Sequence, residues 1–72
     1  MKYLVIIERG EHNFSAYAPD VPGCIATGVT IDETLQRMKE ALEFHLKGFP
    51  EEGEPLPLPL SIHAYVELNI SV

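Results

Sequence analysis

Three kinds of side chain in this sequence could carry out chemistry: one cysteine, three histidines and eleven carboxylates. Cys24 follows a Pro-Gly pair and has no basic residue near it in the sequence, which is typical of a small buried side chain and not of a reactive thiolate. His12, His45 and His63 are too far apart for the short ligand spacings of a zinc site. These residues predict neither a catalytic group nor a metal site.

The carboxylates do not form a recognisable catalytic set either. A two-metal nuclease needs several carboxylates close together, normally with one in the middle of a central strand. Here the middle of the first predicted strand is Leu4-Val5-Ile6, Asp20 lies in a turn, and the last predicted strand offers only Glu67. The sequence contains no glycine-rich phosphate loop and no nucleophile elbow. We therefore expect that the protein is not an enzyme and that it needs no cofactor.

The composition predicts one small domain spanning residues 1–72. Hydrophobic residues make up 46% of the sequence and charged residues 22%, which is far from the composition of a disordered chain. No apolar run is long enough to cross a membrane, and a lone cysteine fits a cytoplasmic protein. Eleven acidic residues against five basic ones give a net charge of −6. This charge argues against direct binding of nucleic acid and favours a basic protein partner.

Hydrophobic periodicity predicts an α+β fold with the element order β-β-β-α-β. Strands are expected at 2–8, 13–18, 25–29 and 62–70, with the helix running from Thr30 to about Lys47. The last strand alternates strictly between apolar and polar residues, as a strand with one buried face does. It is expected to lie parallel to the first strand after a right-handed crossover, which makes the sheet mixed and the first strand central.

The helix carries its own boundary signals. Thr30 and Glu33 form a predicted capping box, in which the hydroxyl accepts from the Glu33 amide and the carboxylate returns to the Thr30 amide. Gly48 is expected to end the helix. Apolar residues recur at helical spacing and predict one buried stripe: Ile31, Leu35, Met38, Leu42, Leu46 and Phe49. One helix covers only one face of a sheet, so the other face or the edge of the last strand predicts a homodimer or homotetramer.

A rigid corner is predicted at Ala18-Pro19-Asp20-Val21-Pro22-Gly23-Cys24, since proline, aspartate and glycine all favour turns. Together with Tyr17 before it, Thr27-Gly28-Val29-Thr30 and Glu33 after it, the helix and a later Pro-x-Pro, this stretch resembles the N-terminal domain of HicB-type antitoxins. The resemblance covers nearly all of the 72 residues. It implies a sheet with one helix that looks like a reduced ribonuclease-H-like fold.

The resemblance also implies a function. An antitoxin of this kind masks a small basic partner, typically a HicA-type ribonuclease toxin with a fold similar to a double-stranded-RNA-binding domain. Full HicB antitoxins usually continue into a DNA-binding segment, whereas these residues match a short form without it, so no DNA-binding role is carried over. The residues expected to contact the partner are Pro19, Asp20, Pro22, Gly23, Glu51, Glu52, Glu54, His63, Tyr65 and Glu67.

Two other interpretations remain open at this point. One is a stand-alone homo-oligomer that binds a small ligand or another protein without catalysis. The other is an enzyme or small-ligand protein with a pocket between the corner and the end of the sheet, which the missing carboxylate set disfavours.

Overall fold

The computed structural model describes residues 1–49, 53 and 55–71. A three-stranded antiparallel sheet packs against one helix, which confirms the α+β class. The strands follow the chain in the order β1-β2-β3, with β1 at Ile6–Arg9, β2 at Phe14–Tyr17 and β3 at Ile25–Gly28. The helix, α1, comprises Ile31–Lys47. Within the described part of the chain, no helix is both long and apolar enough to cross a membrane.

The register of the sheet gives each face its own row of side chains. Ile7, Ala16 and Ala26 lie opposite one another on the three strands and belong to the core beneath the helix. The two alanines keep this row shallow, so α1 can approach the sheet closely. The helix packs over β3 and β2 and makes few contacts with β1. One strand of the sheet is therefore left largely uncovered.

The core of the domain is small. Its buried hydrophobic residues come from β2, the corner and the middle of the helix, and they are Ala16, Ala18, Val21, Cys24 and Met38. Thr34 is fully buried as well, and its hydroxyl donates a hydrogen bond to the carbonyl of Thr30 at 2.7 Å. A core with so few large side chains contributes little stabilisation to a chain of this length.

The end of β3 touches the first turn of the helix. A Cβ atom added to Gly28 would lie 2.6 Å from Oγ1 of Thr34 and 2.8 Å from its backbone nitrogen. Both distances are far inside van der Waals contact, so only glycine fits here without movement of the helix. Gly28 thus determines how closely α1 approaches the sheet.

The predicted N-terminus of the helix is confirmed with one difference. The Thr30 hydroxyl accepts from the Glu33 amide at 3.0 Å, as expected for a capping residue. The Glu33 carboxylate accepts from the amide of Val29 at 2.8 Å, one residue earlier than the predicted Thr30 amide. Gly48 ends the helix as predicted, with an ordinary helical φ of −77°.

The predicted fourth strand is wrong for this protomer. Among the described residues no strand follows α1, and every residue of 62–70, which we call the arm, is exposed. The sheet is consequently antiparallel and not mixed, and β1 is an edge strand instead of a central one. Alternation of apolar and polar residues shows that a segment has a face to bury, but it does not show which sheet buries that face. The ribonuclease-H-like resemblance gains no support from this sheet.

We expect Gly28→Ala to lower the free energy of unfolding by about 2–3 kcal/mol, because the new methyl group forces β3 and the first turn of α1 apart. The matched control is Gly48→Ala, where φ is helical and the nearest atom to the new Cβ is 3.9 Å away. This substitution is expected to raise stability by about 0.4–1 kcal/mol. Urea denaturation followed by circular dichroism, at one fixed chain concentration, measures both. Equal effects of the two substitutions would show that the Gly28 contact does not constrain the fold.

Candidate protein-binding site

The corner between β2 and β3 is built from two successive turns. The amide of Val21 donates to the carbonyl of Ala18 at 3.0 Å, and the amide of Cys24 donates to the carbonyl of Val21 at 3.4 Å. Gly23 has a φ of +85°, a left-handed conformation that glycine adopts without strain. The side chains of Ala18, Val21 and Cys24 point into the core, which leaves a rigid exposed rim formed by Pro19, Pro22 and Gly23.

Asp20 holds the C-terminal part of the chain at this corner through two hydrogen bonds. Its Oδ2 atom accepts from the amide of Ser61 and its Oδ1 atom accepts from the Ser61 hydroxyl, both at 2.9 Å. A second hydrogen bond holds the chain a few residues before Ser61, where the carbonyl of Pro57 accepts from the Tyr3 hydroxyl. The chain that returns from the helix is therefore held at the end of the sheet where β1 begins, immediately before the arm starts.

The arm presents two chemically different faces. The residues predicted to contact a partner, His63, Tyr65 and Glu67, alternate with apolar residues along it, and Tyr65 is 97% exposed. Because Ser61 is bonded to Asp20, the structure brings the corner and the start of this polar face to the same end of the domain. Glu51, Glu52 and Glu54 lie outside the described residues.

The described surface carries an excess of negative charge. One weak ion pair offsets part of this charge, between Glu33 and Arg37 at 3.7 Å, and the Glu11 carboxylate lies 3.8 Å from Nε2 of His12. The exposed carboxylates are those of Glu8, Glu11, Asp32, Glu40, Glu43 and Glu67. Within the described ranges, no three histidine, cysteine or acidic side chains come together in a way that could hold a metal ion. The surface is suited to long-range attraction of a basic partner.

Phe44 is a candidate contact residue that the sequence analysis missed. It is 83% exposed on the helix, with Glu43 beside it and Glu40 one turn before it. Glu40 accepts a hydrogen bond from Gln36 at 3.1 Å. An exposed aromatic side chain among polar neighbours is typical of residues that anchor protein interfaces. The sequence feature that could have identified it is its position outside the apolar stripe of the helix.

The face of the sheet opposite the helix offers another apolar surface. Ile6, Tyr17 and Ile25 lie directly across from one another on the three strands, and Ile25 is 70% exposed. This row confirms that one helix covers only one face of the sheet.

Cys24 is placed in the core and not in an open cleft. The residue is 5% exposed, and burial raises the pKa of its thiol above the ordinary value of 9.0. The thiol is therefore protonated at neutral pH, in the state in which it packs as a small apolar group and is a poor nucleophile.

We expect Cys24 to be alkylated by iodoacetamide at pH 8 at least about 10-fold more slowly in the folded protein than in urea. Since the folded pKa is raised, the stability that the neutral thiol contributes is present at neutral pH and is lost as pH rises through the folded value. Cys24→Ala lacks this titration and serves as the control. Unfolding measured between pH 7 and pH 10 should show wild type losing stability relative to Cys24→Ala, and a constant difference would contradict the burial of the thiol.

Asp20→Ala is expected to release the start of the arm. Both hydrogen bonds from Ser61 go to a carboxylate, and loss of bonds to a charged group corresponds to about 1.5–3 kcal/mol, or roughly a 10- to 100-fold rise in local opening. Hydrogen exchange of the Ser61 amide measures this opening. Asp32→Ala removes an exposed carboxylate in the first turn of α1 and should leave Ser61 exchange unchanged. If Asp20→Ala also left it unchanged, Asp20 would not be what holds the arm.

Comparison with known proteins places these features in a family context. The model of the family described as HicB-like antitoxin of bacterial toxin-antitoxin system matches residues 3–69. An uncharacterised 14.9 kDa protein from the rep-hol intergenic region of Haemophilus phage HP1 is 38% identical over 66 residues. That alignment covers 92% of this chain and 50% of the phage protein, so the chain spans about half the length of this relative.

Two archaeal relatives are closer to this chain in length. A UPF0150 protein of Archaeoglobus fulgidus is 37% identical over an alignment of 57 residues, which covers 75% of this chain and 83% of that protein. A UPF0150 protein of Thermoplasma acidophilum is 34% identical over 58 residues, covering 79% of this chain and 84% of its own length. No solved structure matches the chain.

Proposed function

The chain belongs to the HicB-like antitoxin family of bacterial toxin-antitoxin systems, and we propose that it acts as an antitoxin by masking a small, basic, HicA-type ribonuclease toxin. It does so by binding alone, as a cytoplasmic protein without catalytic activity or a cofactor. The observation that carries the proposal is the polar face of the arm, which starts at the rigid corner to which Asp20 bonds Ser61.

This arrangement supports recognition of a protein surface. The rim formed by Pro19, Pro22 and Gly23 is exposed but held by buried core residues within and on either side of it, so little conformational entropy is lost on binding. Tyr65 supplies a large exposed side chain with few rotatable bonds, the kind of residue that dominates interface energies. The corner and the arm together offer a rigid contact and an aromatic anchor.

Electrostatics supports a basic partner. A protein that binds RNA presents lysine and arginine side chains to the phosphates. The net charge of −6 allows this chain to occupy such a surface in place of RNA, through carboxylates that include Glu67 on the arm. Masking is then both steric and electrostatic, and the toxin cannot hold RNA while the antitoxin is bound.

Co-purification tests the proposal directly. The tagged chain, expressed in the source organism and captured at low salt, should retain a small basic protein in stoichiometric amount that elutes as salt is raised. That protein should cleave RNA, and addition of the purified chain should stop the cleavage. Recovery of the chain without such a partner, or a partner whose RNA cleavage the chain does not inhibit, would overturn the proposal.

We expect Glu67→Lys to weaken binding of the captured ribonuclease about 10-fold, since it reverses a charge on the proposed contact face. The matched control is Glu11→Lys, which makes the same change in the β1-β2 turn at the opposite end of the sheet. It should alter the dissociation constant by no more than about 2- to 3-fold. Isothermal titration calorimetry compares the two, and equal losses would locate the interface away from the arm.

A second candidate function is favoured by a groove of about 450 Å³ between the start of the chain and α1. Its lining is mainly apolar, with Tyr3, Val5 and Leu42 among its residues. Such a groove suits a stand-alone homo-oligomer that binds a small apolar ligand or another protein. Binding heat, measured when small molecules from a library are titrated into the purified chain without any ribonuclease, would favour this function over the antitoxin function.

A further inference from the structure

The outer edge of β1 has no strand partner among the described residues of the protomer. β1 is the first strand of the sheet, and no described strand lies on its other side. Its backbone donors and acceptors on that side form a template for another strand. The groove next to this edge is lined by the residues that precede β1 and by α1, including Tyr3, Val5, Leu35 and Leu42.

The arm carries apolar side chains that the described part of its own protomer does not cover. Its apolar residues recur at every second position, as in a strand with one buried face, and yet they are exposed: Val66 is 81% exposed and Ile62 is 90% exposed. The apolar face is formed by Ile62, Ala64, Val66, Leu68 and Ile70. The arm therefore has a face to bury and a backbone to pair, but the described part of its own protomer neither covers this face nor pairs with this backbone.

The chain is held so that its own arm leaves its own groove open. Ser61 is hydrogen-bonded to Asp20, and the carbonyl of Pro57 is hydrogen-bonded to Tyr3. These contacts fix the base of the arm near the start of β1. Beyond Ser61 every described residue of the arm is exposed, and the protein extends 53 Å along its longest axis but only 27 Å and 17 Å along the others. The arm thus projects away from the domain that anchors it.

We propose that two copies of this chain exchange their arms, so that the arm of each copy pairs with the free edge of β1 in the other and buries its apolar face in that copy's groove. The lengths agree when the five residues before β1 are included, because residues 1–9 and the arm each contain nine residues and span roughly 30 Å when extended. A second copy is the favoured occupant, since each protomer carries both the open groove and the exposed arm. Reciprocal exchange satisfies both surfaces in a closed two-fold dimer.

Exchange of the arms does not require a toxin. In the exchanged dimer the face that carries His63, Tyr65 and Glu67 points away from the groove and stays accessible to a toxin. The two binding events use opposite faces of one strand, and substitutions on each face separate them.

The mass of the chain in solution provides the first test. Light scattering should give twice the 8.0 kDa of one chain. Val66→Asp should raise the dissociation constant of the dimer by about 100-fold or more, because it places a charge in an apolar interface. Tyr65→Asp introduces the same residue at the adjacent position on the opposite face and should leave the dimer intact. Since Val66 is exposed in the protomer, helical circular dichroism should be the same in all three proteins.

Paramagnetic relaxation identifies the partner of the arm. A spin label at His63→Cys, in a chain that also carries Cys24→Ala, is mixed with isotope-labelled wild type. We expect broadening of the amide signals between Tyr3 and Arg9 of the isotope-labelled wild-type copy. A mass of 8.0 kDa would overturn the exchange, as would a dimer that Val66→Asp does not weaken. Broadening confined to the arm of the isotope-labelled copy would show that the two arms pair with each other, and this would also overturn the exchange.

Discussion

The contact between Gly28 and Thr34 sets the position of the helix, and much of the remaining structure follows from that position. Because Gly28 has no side chain to meet the first turn of α1, the helix can lie close against β3 and the adjacent β2. A single helix placed there does not reach over β1. The groove beside β1 is thus a consequence of where the helix lies, together with the small side chains of Ala16 and Ala26 beneath it. The edge of β1 is free for a separate reason, since no described strand pairs with it.

The small core makes the uncovered strand energetically important. The largest fully buried side chains are those of Met38, Val21 and Thr34, and one of these is polar. A domain of this size buries only about 60% of the surface of its unfolded chain, so additional burial of apolar area has a large relative effect. Apolar side chains on the arm and on the open face of the sheet are the surfaces that can supply it. The proposed exchange of arms would bury apolar surface of this kind.

Local signals predicted the parts of the fold that depend on neighbouring residues. The capping residue and Gly48 bounded the helix correctly, and the corner was recognisable because Pro19, Pro22 and Gly23 act on the backbone directly. The predicted buried stripe was wrong at its N-terminal end, where Ile31 and Leu35 are exposed. The arm could not be placed, since pairing of a strand depends on residues far away in the chain or in another chain. Phe44 was missed because attention to the buried stripe says nothing about apolar residues outside it.

The Asp20 carboxylate gives the corner a role beyond shaping a turn, because its two bonds to Ser61 fix the residue immediately before the arm. In a strand successive side chains point to opposite faces, so a shift of one residue would exchange the apolar and polar faces. An anchor at Ser61 therefore specifies which face of the arm begins with Ile62 and which begins with His63. If the apolar face meets a second copy and the polar face meets a toxin, both interfaces depend on this one pair of hydrogen bonds. The aspartate in the corner is then the residue that keeps the two interfaces apart.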